Sequence, residues 1–154
     1  NGCRYLDDLE RQKAYIHDGW NKSGDLCRID EDGYFYYEAR TDDMILTGGY
    51  NVSGLEVEAV LLEHPKVKEV AVVGTPDKDR GQIVKAFIIP SNAEANDDAT
   101  VSELQNFVKS QISAFKYPRA VEFVDDLPLT ATGKIQRGAL RQLERERAEK
   151  AGII

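Results

Sequence analysis

The run Leu129-Thr130-Ala131-Thr132-Gly133-Lys134 sets a single lysine among small and hydroxylated residues, the composition of a mobile loop that can aim an ammonium at a phosphate or a carboxylate. It is not a Walker A loop, which needs G-x-x-x-x-G-K followed by Ser or Thr, whereas Ile135 follows here. Ser23-Gly24-Asp25 offers a carboxylate at the start of a β-rich run, where an Asp can accept from two hydroxyls, as sugar recognition requires; an ordinary turn Asp beside a Gly fits the same residues. Arg40-Thr41-Asp42-Asp43 is a second charged cluster ahead of a Gly-rich turn, and a solvated turn fits it equally. No Ser/His/Asp or Cys/His nucleophile set can be assembled. Cys3, Cys27, His17 and His64 have no zinc-ligand spacing, so no metal ligand is assigned.

Several elements must hold these residues. Residues 1–20 lack a sustained period and are predicted irregular with one short helix. Leu26–Ile29 and Tyr34–Ala39 are β-rich runs joined by Asp30-Glu31-Asp32-Gly33, a hairpin signal. A second tight hairpin or a loop is predicted from Met44–Leu46 and Tyr50–Val52 around Gly48-Gly49, a pair free to take positive φ or to let a ligand approach. Ser53 and Glu56 have capping-box spacing, which predicts a helix with Val57, Val60 and Leu61 on one face, stopped by His64-Pro65. Strands are predicted over 67–73 and 83–89 with a polar turn over 75–81, then a surface loop over 91–99. A second capping box at Thr100 and Glu103 predicts a helix carrying Leu104, Phe107, Val108 and Ile112. A short strand over 121–124, a loop over 127–134 and a charged helix over 136–150 complete the chain, and the mixed charges of that helix, Glu144 with Arg147 among them, read as a solvated face. The sum is an α+β fold: a two-layer domain with a small mixed β-sheet and helices on one side of it, preceded by a separate β-hairpin.

Composition bounds the rest. The chain has 154 residues, 42% apolar and 31% charged, the profile of one globular domain. Its formal charge of −7 opposes a sequence-independent grip on nucleic acid or on an anionic membrane. No apolar run approaches the roughly 20 residues of a membrane span, and no signal peptide is visible. Two cysteines are too few for a disulfide framework, so a reducing cytoplasm is the expected compartment. The only methionine is Met44, which predicts that the chain is a piece of something longer.

Taken in order, the segments GWNKSGDL (19–26), DGYFYYEARTDDMI (32–45), GGYNVSGLEVE (48–58) and PLTATGKIQR (128–137) resemble the ribose-binding, hinge, post-hinge and catalytic-lysine motifs at the C-terminal end of the adenylate-forming enzymes. That superfamily comprises acyl- and aryl-CoA synthetases, luciferases and peptide-synthetase adenylation domains. The resemblance implies that residues 1–41 are the tail of a large N-terminal domain and 42–154 the mobile C-terminal domain. It implies two half-reactions: a carboxylate attacks the α-phosphate of ATP, supplied with Mg²⁺, and CoA thiolate then displaces AMP. Asp25 would accept from the ribose hydroxyls, Arg40 would help hold the nucleotide, Asp42 would be the hinge, and Lys134 would bridge the carboxylate and the α-phosphate. Gly48 and Gly49 would line the pantetheine tunnel, with Phe115, Lys116 and Arg119 of AFKYPR holding the adenine and phosphates of CoA. NGCRYL, EARTDDMI, GTPDKDRGQIVKAFI and FKYPRAVEFVDDLP are most similar to 2-aminobenzoate- and benzoate-CoA ligases. The implied partners are a small carboxylic acid, ATP, CoA and the N-terminal domain in cis, with neither nucleic acid nor membrane. Without that domain the fragment is expected to be inactive. Two alternatives remain open here: the end of a peptide-synthetase adenylation domain, and a binding or regulatory module of the same fold.

Overall fold

The computed structural model describes residues 5–92 and 96–154, so Cys3 and the middle of the predicted loop over 91–99 lie outside the described residues. The chain divides into two compact units, Asn1–Asp42 and Asp43–Ile154.

In the first unit the segment predicted irregular carries more order than expected. Helix α1 (Leu9–Tyr15) is capped by the Asp8 carboxylate, which accepts from the Arg11 N–H at 2.9 Å. It leads into a two-residue ladder, β1 (Ile16–His17) against β2 (Trp20–Asn21). The turn between them is Asp18-Gly19, both at positive φ, the Asp-Gly step that favours a tight hairpin. The predicted hairpin follows as β3 (Asp25–Ile29) and β4 (Phe35–Arg40), antiparallel, with a bulge between Leu26 and Cys27. Its turn is closed by Asp30, whose Oδ1 accepts from the N–H groups of Asp32 and Tyr34. These N–H groups, that of Tyr34 first, hold the Asp30 carboxyl below its ordinary range.

The second unit opens with β5 (Met44–Thr47) and β6 (Tyr50–Ser53), joined through Gly48-Gly49 at φ +54° and +86°, the primed turn that a two-residue hairpin requires. Helix α2 (Gly54–Leu62) starts where Ser53 Oγ accepts from the Glu56 N–H. The reciprocal half of the predicted capping box gives way to an ion pair, because both Glu56 oxygens accept from Lys116 Nζ. Strands β7 (Val67–Asp77) and β8 (Gly81–Pro90) pair along their length and run further than the sequence indicated. Asp77 shortens the turn by accepting from the N–H groups of Asp79 and Arg80, so Thr75 and Pro76 stay in the ladder. Helix α3 (Asp98–Gln111) also begins earlier than predicted: Asp97 is the cap, accepting from the Thr100 N–H at 2.7 Å, and Thr100 is buried inside the first turn. Strand β9 (Ala120–Phe123) returns parallel to β8, giving the mixed order β7-β8-β9, and α4 (Arg137–Lys150) ends the chain.

The α+β class holds, but helices cover both faces of the sheet rather than one. Strand alternation explains this. Val70 and Val72, with their ladder partners Ile88 and Ala86, pack with Val57 and Leu61 of α2 and Leu104 and Val108 of α3. Ala71 and Val73, alternating with them, point with Phe87 to the opposite face and meet Leu140 of α4 and Leu127. Where α2 begins it lies so close to β7 that a Cβ on Gly54 would stand 2.8 Å from the Val72 carbonyl oxygen. Among the described residues no helix is long and apolar enough to cross a membrane.

Candidate active-site residues

In the first unit, ladder pairing places Asp25 directly opposite Arg40. Arg40 Nη1 donates to Asp25 Oδ1 and to the Ser23 carbonyl, and Nε donates to Asp42 Oδ1, each at 3.2 Å. The two clusters singled out in the sequence thus meet in one charged row, with the Arg40 guanidinium between the Asp25 and Asp42 carboxylates. Gly24, at φ +77°, makes this possible, because a Cβ there would sit 3.0 Å from Arg40 Nη2. Its carbonyl is held by both the N–H and the hydroxyl of Thr41. All three side chains are solvent-accessible, so the ion pairs contribute at most about 1 kcal/mol and chiefly orient Asp25. A carboxylate held this way keeps acceptor capacity for a pair of hydroxyls.

In the second unit, Lys134 lies in a loop closed on itself. Thr130 N–H donates to the Lys134 carbonyl at 2.8 Å, Lys134 N–H donates to Thr130 Oγ1 at 3.0 Å, and Gly133, at φ +78°, turns the chain between them. A single bridge, Leu129 with Ile135, forms the base. The Lys134 side chain is exposed and makes no hydrogen bond or ion pair with any described residue. A loop closed by its own hydrogen bonds that presents an unneutralised ammonium to solvent is suited to binding an anion and stabilising charge that builds on it.

Elsewhere in the same unit, Phe115 stacks on Tyr50 with centroids 4.7 Å apart, which brings the turn at Ala114–Lys116 to the strand that follows Gly48-Gly49. The loop is pinned by Gly48 N–H donating to the Arg80 carbonyl. Lys116 is engaged by Glu56, and Arg119 Nη1 donates to the Tyr117 hydroxyl at 2.9 Å. Both Lys109 and Arg119 lie over the Tyr117 ring, 4.1 and 5.0 Å from its centroid. Two exposed rings, a side-chain-free loop and a set of cations suit a flat heteroaromatic group that carries phosphates.

Two buried charge clusters escaped the sequence reading. Glu144, taken for part of a solvated face, is 4% exposed and accepts from Thr75, Lys85 and Arg147. Burial pushes its carboxyl up, but these donors outweigh it and hold the group below its ordinary value. Glu122 takes the other side of Lys85 and Arg147, with the same balance and outcome. Glu58, 6% exposed, accepts from the Val72 N–H at 2.7 Å and from Arg137 at both oxygens. Helical spacing carried the signal: Glu58 falls on the Gly54-Val57-Leu61 stripe and Glu144 on the Leu140-Ala148 stripe, and both stripes are buried. Among the described residues no cluster of His, Cys, Asp or Glu could hold a metal ion.

Comparison with known proteins adds to this geometry. Residues 56–134 match the AMP-binding enzyme C-terminal domain. An uncharacterised acyl-CoA ligase of Bacillus subtilis (strain 168) is 47% identical over 142 residues, which are 92% of this chain and 27% of that protein. A mitochondrial acyl-coenzyme A synthetase of Mus musculus is 45% identical over 146 residues, 94% of this chain and 25% of that protein. Among solved structures, the anthranilate CoA ligase AuaEII in complex with anthranoyl-AMP superposes with a TM-score of 0.80 at 39% identity, covering 93% of this chain and 28% of that one. ATP-bound MatB from Rhodopseudomonas palustris gives 0.77 at 36%, covering 89% and 27%. The chain spans about a quarter of the length of the curated relatives it matches.

Proposed function

The chain belongs to the AMP-binding enzyme C-terminal domain family, and from that premise we propose that it is the C-terminal part of an ATP-dependent carboxylic acid–CoA ligase that acts on an aryl acid such as 2-aminobenzoate or benzoate. The observation that carries this reading is Lys134: an exposed ammonium without a partner among the described residues, in a loop fixed by its own backbone bonds. Two anions, a carboxylate and the α-phosphate of ATP, repel each other as they approach, and a cation placed between them offsets that repulsion as charge gathers in the transition state. Lys134 performs this in the first half-reaction. Mg²⁺ enters with ATP as the counter-ion of its phosphates.

Asp25 accepts the ribose hydroxyls, with Arg40 orienting it and helping to hold the nucleotide. Residues 1–41 are the end of the large N-terminal domain that supplies the acid pocket, and 42–154 swing about Asp42 between the two half-reactions. In the second, Gly48 and Gly49 give the pantetheine thiol a passage without side chains, while Phe115, Lys116 and Arg119 hold the adenine and phosphates of CoA. Rotation of one domain thereby replaces a second active site. The likeness to an anthranilate CoA ligase is in keeping with an aryl acid, and the choice of acid lies with the pocket of the N-terminal domain. In the cytoplasm, Cys27 remains an exposed free thiol.

The test is thioester formation by the full-length protein with ATP, Mg²⁺ and CoA, offering 2-aminobenzoate, benzoate and a medium-chain fatty acid. Preference for an aryl acid supports the reading. Preference for the fatty acid overturns the aryl assignment alone, and activation of none of the acids overturns the ligase assignment.

A further inference from the structure

We propose that Glu58 is a positioning residue for Lys134 and acts through Arg137; the inference rests on the role proposed above for Lys134. The self-closed loop around Lys134 fixes its own shape but not its place on the domain. Two residues at its C-terminal end do that: Ile135 packs against the Phe87 and Leu140 cluster, and Arg137 reaches across to Glu58, whereas Gln136, whose N–H donates to the Pro128 carbonyl at 2.8 Å and whose side-chain amide donates to the Leu129 carbonyl, extends the loop's own closure.

The Arg137–Glu58 contact is the one that helix chemistry does not explain. Arg137 is the first residue of α4, where a cation opposes the helix dipole, and the first turn of α4 holds no acidic residue and no side-chain cap. Arg137 therefore stands there at a cost to its own helix. Its partner is costly too, because a carboxylate as buried as Glu58 loses hydration that only several donors can replace. Glu58 has three: the Val72 N–H on the open edge of β7, and Nε and Nη2 of Arg137 in a two-pronged fork. The fork fixes both distance and plane. The residue three places after Lys134 is thus locked in orientation to α2 and to β7. A lysine that must lie between two anions depends on such placement, since small displacements of a catalytic group cost large factors in rate.

The experiment uses the full-length protein, with Glu58→Gln and Arg137→Lys made both on the wild type and on Lys134→Ala. Glu58→Gln keeps the acceptor for Val72 and removes the charge; Arg137→Lys keeps both charges and removes the fork. Each is expected to lower kcat for pyrophosphate release about tenfold, to leave KM for ATP and thioester formation from supplied acyl-adenylate unchanged, and to cause no further loss in Lys134→Ala. Unchanged pyrophosphate release, equal loss in both half-reactions, or a further loss on top of Lys134→Ala would overturn the proposal. If Glu58→Gln does not fold, Arg137→Lys decides by the same criteria. A wild type that releases pyrophosphate in a Lys134-dependent manner while both variants match it removes this inference alone. A wild type that activates no acid removes the functional reading and this inference with it.

Discussion

At the scale of single residues, the charges fall into two groups that sequence spacing alone does not separate. Asp25, Arg40 and Lys134 stand in water, whereas Glu58, Lys85 and Glu144 are buried among partners. Residue type singled out the first group correctly as accessible, since a Lys after Gly133 and an Asp after Gly24 have no core to enter. It missed the second because a charged residue on a helix or strand looks solvated until its place on the buried stripe or face is counted. Replacing Glu144 with Gln leaves Lys85 with one carboxylate instead of two, and we expect a loss of about 3 kcal/mol at pH 7 in urea unfolding followed by circular dichroism. The pH dependence has a definite sign. The folded-state pKa of Glu144 is held below its ordinary 4.5, so the stabilisation is fully present above about pH 4.5 and is lost as pH falls through the lower folded value. The gap between wild type and Glu144→Gln should therefore be constant from pH 7 to pH 5 and close below 4.5; a gap that widens on acidification would contradict the assignment.

At the scale of elements, hairpins and helix stops were legible because they depend on local chemistry. Gly48-Gly49 and Asp30 to Gly33 force turns, and Pro65 forbids continuation. Boundaries set by one side chain's choice of partner were not. The sequence pattern puts Asp77 within the polar turn and makes Thr100 the cap, whereas Asp77 ends β7 and Asp97 caps α3, with Thr100 buried in its first turn. Coverage of both sheet faces also lay beyond the pattern, because β7 and β8 are apolar on both sides and do not say which helix goes where. Two glycines on helices test the packing. Gly54→Ala would press a methyl onto the Val72 carbonyl and push α2 from β7, a loss of about 1–3 kcal/mol. Gly138→Ala, inside α4, would meet only the Arg141 guanidinium at 3.8 Å, and the gain in helix propensity should stabilise by about 0.5–1 kcal/mol. Thermal melts of the two variants should move in opposite directions; a melt of Gly54→Ala at or above wild type would show that α2 is seated differently.

At the scale of the whole molecule, the first unit differs from the second in what it buries. Trp20, Phe35, Tyr34 and Leu9 are all largely exposed, while the second unit holds nearly all of the buried apolar residues. Exposed apolar surface of this extent marks a face that another surface covers, in keeping with the proposal that residues 1–41 finish a larger domain. Trp20 is the only tryptophan and is 81% exposed, so this 154-residue chain should emit at the long wavelength of a hydrated indole and be readily quenched by iodide. Blue-shifted, protected emission from the isolated chain would mean that the unit is already covered. The proposed activity also belongs to this scale, because the acid pocket is assigned to the rest of the protein.

The role of Lys134 is the centre of the account, and comparison of the two half-reactions in full-length wild type and Lys134→Ala tests it most directly. The account predicts that Lys134→Ala loses pyrophosphate release by at least about a hundredfold, the scale of one preorganised charge, yet still makes thioester from supplied acyl-adenylate and CoA. Undiminished pyrophosphate release by Lys134→Ala, or equal loss in both half-reactions, would contradict it.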